Sequence, residues 1–185
     1  MRRSAVIAVA VMTAMLGASA VSASESTVTA SVQGSGRLRY LDPTHDVRFS
    51  VDAAVTLPAG STDPMAGDAR GTARISHHVP NTPDGPMTIW ARIRVDCVVT
   101  GGRVATITGE VGDADPVSRR NGWMKQRFGF SVADNGRGAF DRVGWSGPQR
   151  RDVPGQPDDP ELRRCMAPAP FLAVQTGGYT VTAVG

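Results

Sequence analysis

Two patterns of apolar positions divide this chain. At the N-terminus Ala5 to Leu16 form a single short apolar run, preceded by Arg2 and Arg3 and followed by Gly17, Ala18, Ser19 and Ala20. Beyond it the dominant period is two, the signature of strands with one buried and one solvated side. From Asp46 to Thr56 the odd positions Val47, Phe49, Val51, Ala53 and Val55 are apolar, while Arg48, Ser50, Asp52 and Thr56 are polar. Thr88 to Val99 places Ile89, Ala91, Ile93, Val95, Cys97 and Val99 on the inner side and Trp90, Arg92, Arg94 and Asp96 on the outer. Gln126 to Ala133 alternates Phe128, Phe130 and Val132 against Arg127, Gly129 and Ser131. Weaker strands are predicted over 36–41, 69–78, 103–111, 140–145, 170–174 and 178–184. No useful window after the N-terminal run has helical period, so the pattern predicts an all-β domain, an antiparallel sandwich or small barrel of about eight to nine short strands.

Turn residues place the joints. Gly101-Gly102 and Asn135-Gly136 are hairpin signals, because these residues tolerate the positive φ of tight turns. A strict two-residue loop at Gly101-Gly102 sets Cys97 opposite Thr106 and Asp96 opposite Ile107, mixing faces; a bulge or a longer loop corrects this, and the register stays open. Longer loops are expected at 57–68, 79–87, 112–125 and 147–164, the last rich in Pro, Arg and Asp.

The N-terminal run is a charged head, a greasy middle and a small-residue exit, the order of a secretory signal peptide over 1–23. Cleavage after Ala20 or after Ala23 fits equally. The run falls short of the roughly 20 residues that span a bilayer, and no Cys follows closely enough for a lipid anchor. The expected product, 24–185, is one secreted β domain with its core at 34–146 and its final strands at 165–185, extracellular or associated with the cell wall, without a membrane span and monomeric. Removing Arg2 and Arg3 leaves 18 basic residues against 17 acidic ones, a balance that argues against nucleic acid as a partner. Lys125 is the only lysine, a skew that suggests a GC-rich bacterial source.

Export also fixes the reading of the two cysteines. In an oxidising compartment an even count implies a bridge, and two cysteines allow one intramolecular pairing, Cys97 with Cys165. Closing so long a loop is worth roughly 4 kcal/mol in the chain-entropy model.

No candidate chemistry outweighs its structural explanation. His77 and His78 are neighbours on a strand and point to opposite faces, His45 is remote in sequence, and no third metal ligand is implied. Asp134 to Asp141 offers carboxylates but lacks the spacing of a helix-flanked calcium loop. Gly144-Trp145-Ser146-Gly147-Pro148 lacks the second glycine of a serine-nucleophile elbow. Asp113 with Asp115, and Asp158 with Asp159, read as solvated loop charge. Arg92 and Arg94 beside Trp90 could bind anions or sugars, against the simpler reading of a solvated strand face. No catalytic, metal or cofactor residue is therefore assigned.

Gly34-Ser35-Gly36 to Tyr40, Asp46 to Asp52, Val95 to Ala105 and Phe130 to Asp141, taken together, resemble a family of secreted actinobacterial single-domain β proteins, some labelled "repetin". The resemblance runs from about Gly34 to the C-terminus. It implies export and one extracellular β domain with a central hairpin; it supplies no activity and no functional residues. The function expected is a non-enzymatic extracellular or cell-envelope binding or structural module. The alternative is a secreted hydrolase whose site is assembled from distant loop residues.

Overall fold

In the computed structural model, which describes residues 26–61, 63, 65–148 and 163–183, period-two alternation becomes eight strands. The expected export signal and most of the polar segment 147–164 lie outside the described residues. The strands are β1 (Thr27–Leu38), β2 (Asp46–Pro58), β3 (Asp68–Val79), β4 (Met87–Gly101), β5 (Val104–Ala114), β6 (Arg127–Ala133), β7 (Arg142–Ser146) and β8 (Leu172–Thr182), with one short helix, α1 (Pro116–Arg120), between β5 and β6. Every strand is antiparallel to its chain neighbours, and β8 pairs back onto β1, so one sheet closes in a ring. The fold is all-β, as the alternation predicts.

The inside of the ring is the core. All five inward residues of β2 are at most 4% exposed. Phe49 stacks on Phe130 with ring centroids 4.5 Å apart, and Phe130 on Phe128 at 5.7 Å. The outer side carries Arg48, Asp52, Arg74, Arg92 and Arg94, the reverse of a ring that turns its outside to lipid. Glycine lets the sheet bend sharply where β1 meets β8. A Cβ at Gly34, whose φ is +145°, would lie 2.3 Å from the Gly178 carbonyl oxygen. Tyr179 fills the space above it and donates its hydroxyl to the Phe49 carbonyl at 2.8 Å. Burial pushes that phenol's pKa up, helped by the nearby Asp141.

Several details depart from the pattern. β1 begins at Thr27 rather than near Gly36, because pairing with β2 continues from Leu38↔Val47 to Thr27↔Pro58. The two predicted C-terminal strands are one, β8, whose pairing with β1 shifts register between Val174 and Thr176. Asn135-Gly136 is not a two-residue turn, since β6 ends at Ala133 and β7 starts at Arg142. The loop 112–125 holds α1, which the alternation does not predict: Asp115, which reads as solvated charge, is its buried N-cap, accepting from the N–H groups of Val117 and Ser118, and Pro116 follows it.

The β4–β5 hairpin resolves the register. Its turn residues are Gly102 and Arg103, with Gly101 opposite Val104, and Asp96 is the extra residue of a bulge between Val95 and Cys97. Alternation through Asp96 predicts an inward Cys97. The bulge inverts the phase: Val98 pairs with the inward Ile107, and Cys97 pairs with Thr108, which lies on the outer side between Ile107 and Gly109. Cys97 is only 2% exposed because another part of the chain covers it from outside.

Candidate functional sites

That cover is the segment from Arg163 to Phe171, which runs across the outer side of β4 to β7. Cys165 bonds to Cys97 with their Cα atoms 5.4 Å apart. The Cys165 N–H donates to Thr108 Oγ1 at 3.0 Å, and Thr108 donates to Asp96 Oδ1 at 2.9 Å. Arg164 Nε reaches the Asp96 carbonyl at 2.9 Å, and Arg127 bridges to the Asp96 carboxylate at 2.6 Å. Further along, a Cβ at Gly144 would meet the Ala169 carbonyl oxygen at 2.3 Å. Arg142 donates to the Phe171 carbonyl at 2.9 Å. Thr108 and Ser131, outward residues that alternation assigns to solvent, are thereby buried.

The histidines meet at one end of the ring, where β1, β3, β5 and β7 end. His45, from the β1–β2 loop, and His77, an inward residue near the end of β3, share a 2.8 Å hydrogen bond from ring to ring. Asp42 lies 3.5 Å from the other nitrogen of His45, and Tyr40 stacks on the His45 ring at 5.6 Å. Which ring donates in the bond between His45 and His77 depends on the tautomers of the two imidazoles. Hydrogen bonds from Thr44 hold Asp42 below the usual carboxylate range. Burial, followed by the charges of His45 and His78, lowers the pKa of His77. His78 faces the other way and hydrogen-bonds Thr88 at 2.8 Å. Neither His45 nor His77 is hydrogen-bonded to a hydroxyl or thiol among the described residues. The cavity beside His77, walled by Ile89, Trp123, Phe128 and Trp145, holds about 70 Å³. That is less than the about 150 Å³ of an apolar cavity that encloses a benzene molecule. The sequence separated these histidines by distance along the chain; antiparallel pairing of β2 with β3 sets Val47 opposite His77 and brings them together.

The carboxylates of 134–141 serve the backbone. β7 pairs with β8 only at Arg142↔Ala173 and Val143↔Leu172. Beyond that short seam Asp141 accepts from the Tyr179 N–H at 2.7 Å and from the Asn135 N–H at 2.9 Å, and Asp134 accepts from the Val181 N–H at 3.3 Å. Arg103 forms an ion pair with Asp134. Burial alone would raise the Asp134 pKa, but these hydrogen bonds outweigh it and hold the carboxyl below the usual range. Asp115 is depressed in the same way, with Trp90 N–H, Ser118 and Val117 outweighing burial, and it anchors α1 to β4. Asp113 pairs with Arg119. Ser146 has no hydrogen-bond partner and no histidine beside it among the described residues. Asp158 and Asp159 lie outside the described residues. Among the described residues no group of three or more His, Cys, Asp or Glu side chains could hold a metal ion.

Two open concave surfaces remain among the described residues, one of about 580 Å³ where Gln33 and Thr180 face Asp134, Arg137 and Asp141, the other on the arginine-bearing face. On the outer side of β1 to β3 a groove of about 460 Å³ is lined by Arg37, Arg48 and Arg74, with Ser35, Ser50 and Ser76 between them and Thr176 and Gly177 at its β8 edge. The strand register generates it. Arg37 lies directly opposite Arg48, Ser50 opposite Arg74, and Arg74 opposite Arg92. Asp46 sits between the first two arginines, 3.1 Å from Arg37 and 3.0 Å from Arg48. Arg74 lies over the Trp90 ring, 5.0 Å from its centroid. The sequence singled out Trp90, Arg92 and Arg94. It missed Arg37, Arg48 and Arg74, because only cross-strand register makes them neighbours.

No family model, curated protein or solved structure matches this chain.

Proposed function

We propose that this chain is a secreted, non-enzymatic binding module of the cell envelope and that its binding surface is the outer groove of β1 to β3. The observation that carries the reading is the groove itself: three arginines and three serines converge on an open concavity, while the outer side of β4 to β7 is closed by the Arg163–Phe171 segment. Export by the N-terminal signal places such a module outside the cell. No described helix is long and apolar enough to cross a membrane.

The convergence of Asp42, His45 and His77 favours the hydrolase alternative, since paired imidazoles beside a carboxylate are general acid–base equipment. Against it stand the 70 Å³ cavity and the absence of a hydroxyl or thiol bonded to either ring among the described residues. The deciding experiment is a screen of the purified protein against cell-wall fractions and glycans beside a broad hydrolase panel. Binding that disappears in Arg48→Gln/Arg74→Gln and persists in His77→Gln supports the module. Hydrolysis that disappears in His77→Gln overturns it.

A further inference from the structure

Taking the groove as the binding surface, we infer that its ligand is a linear polyanionic glycan, lying diagonally across β1 to β4 along a stripe of five arginines.

The stripe follows from register. Arg37 and Arg48 occupy one cross-strand row, Arg74 and Arg92 the next, and Arg94 the row beyond on β4. The stripe is a staircase: it shifts by one row between Arg48 and Arg74 and again between Arg92 and Arg94. Strands are spaced about 4.8 Å apart, so four strands carry the guanidinium groups across roughly 15 Å. That is the length of several monomers of a polymer and more than a single small anion can contact.

Like charges directly opposite each other on a sheet are unfavourable, yet this face has two such pairs, Arg37↔Arg48 and Arg74↔Arg92. Asp46 relieves the first. The second has no carboxylate within 4 Å among the described residues, and Asp113, which lies opposite Arg92 on β5, is engaged by Arg119. Arg94 alone reaches across to Glu110, at 3.6 Å. An anionic group lying between Arg74 and Arg92 would satisfy both. Trp90 holds Arg74 in place from below, which reduces the cost of ordering it on a ligand.

The serines distinguish a glycan from a nucleic acid. Ser35, Ser50 and Ser76 alternate with the arginines and offer neutral donors and acceptors suited to sugar hydroxyls. No exposed aromatic row is present for stacking bases, since Trp90, the aromatic ring at this face, is covered by Arg74. The required chemistry is repeated negative charge on a hydroxyl-rich chain, supplied either by uronate carboxylates or by glycosyl phosphates.

Fluorescence anisotropy tests this with labelled polygalacturonate, a phosphorylated mannan, neutral dextran and duplex DNA, each at low and at moderate salt. Expected is binding to at least one of the two anionic chains, weakened by salt, at least about tenfold weaker for the monomeric acid, and about tenfold weaker in Arg74→Gln/Arg92→Gln. Carboxylated and phosphorylated polymers are separate arms, and the one bound more tightly identifies the source of the charge. Salt-independent binding of dextran, unchanged in the double variant, overturns the stripe while leaving the module reading intact. Preference for DNA overturns the glycan. No binding to any of the four, with the fold confirmed by circular dichroism, overturns the stripe, and hydrolysis abolished by His77→Gln would remove the module reading with it.

Discussion

The outer side of the ring is treated in two opposite ways. Along β4 to β7 a returning segment covers it, buries Thr108 and Ser131, and is fastened by Cys97–Cys165. Along β1 to β3 and the part of β4 that carries Arg92 and Arg94 it is bare, and arginines stand opposite arginines. In the covered half Thr108, Asp96, Arg127 and Arg164 form one connected network, although the Ser131 hydroxyl is buried without a partner among the described residues. The bare half leaves charges for something else to satisfy. The lesson is that covering and exposing the same kind of strand face serve different ends, stability in one place and recognition in the other.

The sharpest way to break the comparison is to release the cover. Cys165→Ser should lower stability by about 2 to 5 kcal/mol, measured by denaturant unfolding, with the C-terminal segment becoming protease-sensitive first. An unchanged midpoint, with and without reductant, would mean that packing alone holds the segment.

Within the covered half the next effect is at Thr108. Thr108→Val keeps the shape and removes the acceptor of the Cys165 N–H and the donor to Asp96, at an expected cost of about 1 to 3 kcal/mol. The corresponding test on the bare half is Arg74→Gln/Arg92→Gln. Removing a like-charge pair from a solvated face should change stability by no more than about 0.5 kcal/mol while weakening ligand binding. A loss as large as that of Thr108→Val would make these arginines structural and erase the distinction.

The smallest expected effect is at the end of the ring that joins the halves. Burial lowers the folded-state pKa of His77, so on acidification the unfolded chain takes up a proton before the folded one does. Stability is therefore fully present above the ordinary value of 6.5 and declines as the pH falls below it, levelling once folded His77 is also protonated. Thermal melts between neutral and mildly acidic pH should show this decline, and His77→Gln should flatten it. Asp134 and Asp115 act at lower pH: their folded pKa values are depressed, so their contribution is present above the carboxylate range and lost as the pH falls through it. A melting curve that loses stability only in the carboxylate range would leave no role for His77.

By itself the sequence determined whatever depends on local period and local turn chemistry. Alternation in β2 and β6, and in β4 up to Val95, assigns inside and outside correctly because a strand must present alternate residues to opposite faces. The one-turn helix α1 is not legible in that pattern, because five residues are too few to show a helical period, and its cap Asp115 reads as solvated loop charge. Two cysteines leave only one intramolecular partner for each, so the bridge between Cys97 and Cys165 was legible before any contact was known. The tertiary structure decided what depends on register and on segments distant in sequence. One bulged residue, Asp96, inverted the face of Cys97, and no local pattern announces where an extra residue enters a ladder. His45 met His77 and Arg74 met Arg92 because pairing across strands made neighbours of residues that the chain separates. Whether an outward residue is wet was settled last, by where the chain returns: Arg92 stays exposed, and Thr108, equally outward, is sealed beneath Cys165.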